Sequence, residues 1–228
     1  RDENKFNDCL DALRLCQSLR FAIESAYVHA RCDSDPYFFK RYTGIELNTA
    51  PLATSYTLPI MEPGAIQHFI SEHNLTRFDS LKIKTGKEES KELIKTAHRY
   101  FNKSIRVDAN EAWQDPDLLI KEMEDLSALP LEFLEQPFPS DQKDAYKYLK
   151  KYSKIPIIAD ESITFDPNLK EIKELFHGVN MKLMKAGGYR EGARILLESR
   201  KLGLKTMVGC MVETTLGIRS GAWISGNS

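Results

Sequence analysis

Three short apolar runs in the chain each end in an acidic residue, and their even spacing limits the folds that the chain can adopt. The runs end at Asp108, Glu135 and Asp160, so the intervals are 135 − 108 = 27 and 160 − 135 = 25 residues. Each interval is about the length of a strand, a helix and two loops in a βαβ unit. Consecutive parallel strands would therefore place these three carboxylates at one edge of a sheet.

The alternation of strand and helix patterns continues along most of the 228 residues. It predicts strands near 53–59, 79–84, 104–108, 131–135, 156–160, 178–182 and 205–208. It predicts helices near 63–74, 88–101, 116–126, 141–151, 167–175, 189–202 and 215–225. Asp115 and Pro116 are typical of the first positions of a helix and mark the start of the third. Seven βα units favour a (β/α)8-type TIM barrel over a doubly wound open sheet, and we expect the barrel to be incomplete.

The N-terminal segment does not follow this alternation. Apolar residues recur at helical spacing from Asp8 to Ala30, without proline or glycine, and predict one long amphipathic helix. Residues 33–48 contain Asp-Pro and Thr-Gly pairs, which are typical of a connector. We therefore place a domain boundary between residues 1–48 and residues 49–228, with the partial barrel in the second part.

Charge and composition limit the partners and the compartment. The formal net charge of −1 gives no electrostatic reason to expect nucleic acid or an anionic membrane as a partner. No apolar run approaches the roughly 18 residues of a membrane-spanning helix. The cysteines lack the spacing of a zinc site, so we expect reduced thiols in a cytoplasmic protein. Because the first residue is Arg1 rather than Met, we expect a fragment or a processed chain.

Lysines close two of the predicted strands. Lys82 and Lys84 share one face at the end of the second strand, and Lys182 ends the sixth. In an eight-stranded barrel these two strands face each other across the mouth, so two lysines could approach one substrate carbon from opposite sides. A lone Lys-x-Lys is more often a solvated strand end, and that interpretation stays open.

The three acids would repel one another unless a cation lies between them. Oxygen ligands with few protein donors suit Mg²⁺ or Mn²⁺. Such a cation would stabilise the negative charge that forms when a proton is removed next to a carboxylate. Asn110 lies two residues after Asp108 and should point the same way.

Six ordered motifs resemble those of the enolase superfamily, muconate-lactonizing subgroup, and within it the dipeptide epimerases. The motifs are Leu81-Lys-Ile-Lys-Thr-Gly86, Arg106-Val-Asp-Ala-Asn110, Glu132-Phe-Leu-Glu-Gln-Pro137, Ala159-Asp-Glu-Ser162, Val179-Asn-Met-Lys-Leu-Met-Lys-Ala-Gly-Gly188 and Val208-Gly-Cys-Met-Val-Glu-Thr214. They span roughly residues 10 to 228, and their order is far more specific than any single motif.

The resemblance implies roles for particular residues. It implies Mg²⁺ ligands at Asp108, Glu135 and Asp160 and acid/base catalysts at Lys84 and Lys182. It implies substrate contacts at Thr57, Lys82, Cys210 and Val212. It also implies that Lys82 tunes the acid/base behaviour of Lys84. It implies residues that hold ligands or lysines in place at Asn110, Glu161 and Glu213. Lys185 is the alternative second catalyst, but it lies off the strand parity of Lys182 and nearer the Gly187-Gly188 turn.

The resemblance also implies the reaction and its partner. We expect Mg²⁺-dependent epimerisation of a dipeptide such as L-Ala-D/L-Glu, by 1,1-proton transfer through an enediolate with two lysine catalysts. A cycloisomerase, an o-succinylbenzoate synthase or a truncated binding module are the alternatives. The partner is a small dipeptide, and homo-oligomer formation is left open. Residues 1–48 would then be the C-terminal part of a capping domain and its connector.

Overall fold

Seven strands form a single sheet in a computed structural model, which describes residues 2–86 and 90–226. The strand order is β1-β2-β3-β4-β5-β6-β7, so each strand neighbours the strands that precede and follow it in the sequence. The strands are β1 (Ser55–Leu58), β2 (Ser80–Lys84), β3 (Ser104–Asp108), β4 (Leu131–Glu135), β5 (Ile157–Ala159), β6 (Gly178–Met181) and β7 (Lys205–Val208). All seven predicted strands are confirmed.

Helices precede the sheet and follow each of its strands. The helices before the sheet are α1 (Asp2–Ala12), α2 (Gln17–Ser34) and α3 (Phe38–Thr43). The others are α4 (Ile66–Glu72), α5 (Ser90–Phe101), α6 (Pro116–Asp125), α7 (Lys143–Tyr152), α8 (Leu169–Leu175), α9 (Leu183–Ala186), α10 (Tyr189–Lys201) and α11 (Thr215–Ile224). Residues 88 and 89 of the predicted second helix lie outside the described residues. The predicted incomplete (β/α)8-type fold is confirmed.

Local sequence explains where the third barrel helix begins. The side chain of Asp115 accepts hydrogen bonds from the backbone amides of Asp117 (2.9 Å) and Leu118 (3.1 Å), as an N-cap residue does. Pro116 follows at the first helical position, where its missing N–H costs nothing. The buried face of α6 then carries Leu119 and Met123.

Parallel pairing sets the register of the first five strands. Lys84 pairs with Asp108 across β2 and β3, and Asp108 pairs with Glu135 across β3 and β4. A register shift between Ile105 and Arg106 precedes that alignment on β3. Three charged residues therefore lie side by side at the carboxyl ends of three adjacent strands.

The predicted single helix from Asp8 to Ala30 is wrong, because the helix is interrupted between α1, which ends at Ala12, and α2, which begins at Gln17. Arg14 adopts a left-handed backbone conformation with φ of 47°. The break lets the guanidinium of Arg20 reach the carboxylate of Asp11 at 2.6 Å. Residues nine apart cannot pair on a straight helix, where partners are three or four residues apart. The interruption, at a point without proline or glycine, therefore allows an ion pair that a straight helix would not allow.

The predicted connector at residues 33–48 is also wrong in part, because it contains helix α3. Phe38 and Phe39 are fully buried on this helix. Gly44 ends the helix in the left-handed region with φ of 74°. The Thr-Gly pair that indicated a loop is therefore a helix C-terminus. Helix α9, directly after β6, was not predicted either.

The chain divides into two compact units. The first unit comprises Arg1–Ala50, Ile163–Lys170 and Val179–Ser228, and the second comprises Pro51–Ser162 and Glu171–Gly178. In the first unit, Phe39 packs edge-on against Tyr189 at 5.2 Å and Trp223 at 6.0 Å. In the second, Tyr146 packs against Phe176 at 4.4 Å. The predicted domain boundary after residue 48 stays a prediction.

Within the described residues, none of the helices has both the length and the apolar character that crossing a bilayer requires.

Candidate metal centre

Three carboxylates converge in the second unit. Asp108 ends β3, Glu135 ends β4, and Asp160 follows β5. One oxygen from each side chain lies within 4.8 Å of the others. Each residue is at most 1 % exposed. The predicted meeting of the three acids is confirmed, and an all-oxygen donor set of this kind suits a hard divalent cation.

Lys82 supplies a positive charge to this acidic triad. Its ammonium Nζ lies 2.8 Å from Asp108 Oδ2 and 2.8 Å from Glu135 Oε2. Burial alone would lower the pKa of Lys82, but the charges of Glu135 and Asp108 outweigh it and raise the pKa. The ammonium therefore stays protonated. It offsets one of the three negative charges, and the two that remain match the charge of a divalent ion.

Burial and the neighbouring acids also raise the pKa of Glu135 within the triad. Burial is the largest cause that raises the pKa of Glu135, to about 7, and the neighbouring charges of Asp108 and Asp160 raise it further. The charge of Lys82 acts in the opposite direction. Three carboxylates in one buried place therefore favour a proton or a cation among them.

Asn110 and Glu161 lie at the edge of the triad. The backbone amide of Asn110 donates to Asp108 Oδ1 at 3.2 Å, and its side-chain amide donates to Glu161 Oε1 at 3.4 Å. Asn110 has φ of 43°, in the left-handed region that asparagine tolerates. Burial, followed by the charge of Asp160, raises the pKa of Glu161. These contacts join the loop after β3 to the loop after β5.

Two more predicted site residues lie on the neighbouring strands of the second unit. Lys84 ends β2 and is partly buried, opposite Asp108 in the strand register. Thr57 lies on β1, opposite Lys82 in the register, and is exposed. The register therefore brings Lys84 to the strand end that carries the triad. The roles of Lys84 and Thr57 stay predictions.

The remaining predicted site residues belong to the first unit. Lys182 directly follows β6 and is partly buried, and Cys210 and Val212 lie exposed in the segment after β7. Glu213 Oε1 accepts a hydrogen bond from the amide of Met211 at 2.9 Å. The side chain of Glu213 thus binds the backbone of the segment after β7 in which it lies. The predicted roles of Lys182, Cys210, Val212 and Glu213 stay predictions.

Sequence reasoning missed Gln136 and Tyr146. Gln136 directly follows Glu135 and is fully buried, and its side-chain amide donates to the hydroxyl of Tyr146 at 2.8 Å. The sequence contained a signal for Gln136. This polar residue directly follows the predicted ligand Glu135 at the end of an apolar strand and is itself followed by Pro137. Two of its side-chain partners, however, are Tyr146 and Ser162, which lie 10 and 26 positions away along the chain.

Comparison with known proteins identifies the family. Residues 66–225 match the profile of the family described as enolase C-terminal domain-like. The chain belongs to this enolase C-terminal domain-like family. The resemblance to the enolase superfamily that the six motifs indicated is therefore confirmed.

Members of the enolase superfamily that resemble the chain include epimerases. The L-Ala-D/L-amino acid epimerase of Flavobacterium johnsoniae is 39% identical over 165 residues, which are 72% of this chain and 48% of that protein. The L-Ala-D/L-Glu epimerase of Bacteroides thetaiotaomicron is 32% identical over 173 residues, 76% of this chain and 45% of that protein. The chain thus spans about half the length of these curated relatives.

A solved enolase-superfamily structure resembles the whole fold. It is the dipeptide epimerase of Enterococcus faecalis V583, complexed with Mg and the dipeptide L-Leu-L-Tyr. The TM-score is 0.86 at 27% identity, and the match covers 100% of this chain and 66% of that one. The resemblance to dipeptide epimerases that the motifs indicated is confirmed by both comparisons.

Proposed function

We propose that the chain carries the catalytic core of a Mg²⁺-dependent dipeptide epimerase, an isomerase that inverts one α-carbon of its substrate. The observation that carries the proposal is the buried acidic triad at the ends of successive strands, with Lys82 as a partial counter-charge. The epimerase names of the relatives support the reaction class.

Asp108, Glu135 and Asp160 are the residues that would hold the ion. Their three oxygens are close enough to share one cation, and their charge exceeds that of Lys82 by two. Mg²⁺ would be the resident ion, and Mn²⁺ would suit the same oxygen ligands. When bound, the ion would stabilise the negative charge that develops on the substrate carboxylate.

Lys84 and Lys182 are the proposed acid/base pair. One lysine, as a neutral amine, takes the α-proton of the dipeptide's C-terminal residue, and the other, as an ammonium, donates a proton to the opposite face. The proton count balances, because one lysine gains the proton that the other loses. The two lysines exchange roles in the reverse direction.

The remaining residues would bind and orient the dipeptide. We propose that Lys82 contacts the substrate carboxylate, since its protonated ammonium already lies beside two of the acids. Thr57, Cys210 and Val212 would contact the rest of the substrate. Asn110, Glu161 and Glu213 would hold ligands or lysines in place.

Hydrogen exchange in D₂O tests this function. The wild-type chain is incubated with MgCl₂ and dipeptides that include L-Ala-L-Glu and L-Ala-D-Glu. It should convert each epimer into the other, with one deuterium added at the inverted carbon. Lys84→Ala and Lys182→Ala should each lose inversion by about 10²- to 10⁴-fold. Each variant should still exchange the proton of one epimer, and the two variants should prefer opposite epimers.

Lys185→Ala is the matched control, since it removes a lysine three residues after Lys182. It should retain inversion. The two-base mechanism fails if Lys182→Ala inverts the dipeptide as fast as the wild type. Turnover of a muconate or o-succinylbenzoate precursor, with no dipeptide exchanged, would instead assign another reaction of the superfamily. A chain that binds Mg²⁺ and turns over none of these substrates would be a binding module.

The sequence also supports proposals about domain organisation and cellular location. We propose that residues 1–48 are the C-terminal part of a capping domain and its connector, and that residues 49–228 form a partial TIM-barrel catalytic domain. We also propose a cytoplasmic location, since the four cysteines form no disulfide within the described residues.

A further inference from the structure

Gln136 connects the strands that carry the three acids. It follows Glu135 directly and is fully buried. Its backbone carbonyl accepts a hydrogen bond from the amide of Glu111, in the loop after β3, at 2.8 Å. Its own backbone amide donates to the carbonyl of Ile158 on β5 at 3.0 Å. One residue therefore bridges from β4 to the strands on both sides.

The side chain of Gln136 adds a direct bond to the third acid. Its Oε1 accepts hydrogen bonds from the backbone amides of Asp160 at 2.9 Å and Ser162 at 3.3 Å. Backbone amides can only donate, so they determine which end of the side-chain amide is the oxygen. The peptide bond from Glu135 to Gln136 and the side chain of Gln136 therefore link Glu135 to the backbone of Asp160.

The other end of the amide is anchored from a helix. Nε2 of Gln136 donates to the hydroxyl of Tyr146 on α7 at 2.8 Å and to Ser162 Oγ at 2.9 Å. Tyr146 is itself fully buried, and its hydroxyl also accepts from the amide of Phe138 at 3.1 Å. Both ends of the Gln136 amide are therefore fixed, and the side chain has no freedom to follow a shift of Asp160.

The backbone of Gln136 is held in an unfavourable conformation. Its φ of 35° lies in the left-handed region, which a glutamine rarely adopts. Strain of this kind persists only where surrounding contacts determine the conformation, and it is concentrated at functional sites. The contacts described above are the ones that hold Gln136 in place.

We propose that Gln136 is a positioning residue that fixes the carboxylate of Asp160 relative to that of Glu135 and thereby sets the affinity of the triad for a divalent ion. Gln136 acts through the two acids and has no contact with substrate in this role. The inference rests on the metal centre of the proposed function.

Two substitutions separate positioning from general stability. Gln136→Asn keeps the amide and suits the left-handed backbone, but its side chain is one methylene too short to reach the amide of Asp160. Gln136→Glu keeps the reach and an oxygen that accepts from the amides of Asp160 and Ser162, but loses the N–H donors to Tyr146 and to Ser162 Oγ. The affinity of each 228-residue chain for Mn²⁺ is measured by titration calorimetry with MnCl₂, and thermal unfolding is recorded in EDTA.

Gln136→Asn should bind Mn²⁺ about 10- to 100-fold more weakly than the wild type, as is usual when a residue that orients a ligand is lost. Gln136→Glu should bind at least as tightly as the wild type, although its buried charge lowers the unfolding temperature. A purely structural role would weaken binding in both variants in proportion to their loss of stability, and that result would overturn the proposal. Equal binding by Gln136→Asn and the wild type would also overturn it.

Tyr146→Phe decides the question if Gln136→Asn does not fold. It removes the Tyr146 hydroxyl as an anchor of Nε2 and leaves both the bond to Ser162 Oγ and the bond from the amide of Asp160 in place, so we expect a smaller loss of affinity, about threefold to tenfold. Unchanged affinity would then overturn the proposal. If the wild type itself binds no Mn²⁺, the metal centre of the proposed function fails, and this inference fails with it. If the binding pattern holds without epimerisation, only the proposed reaction fails.

Discussion

Replacing Lys82 with methionine should strongly destabilise the metal-free chain. Lys82 Nζ is 2.8 Å from an oxygen of Asp108 and 2.8 Å from one of Glu135, and its side chain is only 14 % exposed. At that distance each attraction is worth about 6 kcal/mol gross with an effective dielectric constant of ~20. Loss of one partner of a buried pair costs about 3–5 kcal/mol net, because the remaining charges stay buried.

The assay is thermal unfolding followed by circular dichroism, in EDTA and in MgCl₂. For a chain of this size, 1 kcal/mol corresponds to about 2–4 °C, so Lys82→Met should lower Tm by about 6–20 °C in EDTA. Added Mg²⁺ should recover part of the loss, about 2.7 kcal/mol at 100 times the Kd. At the same MgCl₂ concentration the variant should gain more stability than the wild type, since the ammonium no longer competes for the two acids and the Kd is therefore lower.

Lys91→Met is the matched control. Lys91 pairs with Asp125 on the surface of the same unit, where both side chains are more than a third exposed. Its loss should cost less than about 1 kcal/mol. The reasoning about Lys82 is refuted if Lys82→Met and Lys91→Met unfold at the same temperature in EDTA, or if Mg²⁺ stabilises Lys82→Met no more than the wild type.

Three further predictions concern the first unit. A β-carbon on Gly188 would lie 1.5 Å from Glu24 Oε2, and Gly188 has φ of 136°, so Gly188→Ala should cost about 3 kcal/mol or more in chemical denaturation. A β-carbon on Gly209 would lie 2.4 Å from Asn180 Oδ1, so Gly209→Ala should be destabilising by about 1–3 kcal/mol, and Asn180→Ala in the same chain should recover part of the loss. Burial lowers the pKa of His29, so the unfolded state gains the proton first, and the free energy of unfolding should fall as pH drops below about 6.5. His29→Gln should flatten that slope, and an unchanged slope would contradict the assignment.

The fold could be predicted because its signal is local and repeated. Each strand is a short apolar run bounded by polar residues, and the helix between two strands keeps the interval near 25 residues. The acids followed from the same reasoning, since Asp108, Glu135 and Asp160 end their runs and parallel strands align their carboxyl ends.

The parts that could not be predicted depend on contacts between distant residues. The interruption after α1 contains no proline or glycine, and Asp11 and Arg20 form an ion pair across it. A long lysine side chain such as Lys82 can point to substrate or to an acid, and strand parity does not choose between them. The role of Gln136 depends on Asp160, 24 residues later in the chain.

Titration calorimetry with Mg²⁺ tests the acidic triad most directly. The wild-type chain should bind one divalent ion, and Asp160→Asn should weaken that binding by at least about 100-fold while leaving the chain folded. Saturable binding of equal affinity in the two proteins, or none in the wild type, would contradict the assignment of Asp108, Glu135 and Asp160 as the metal ligands.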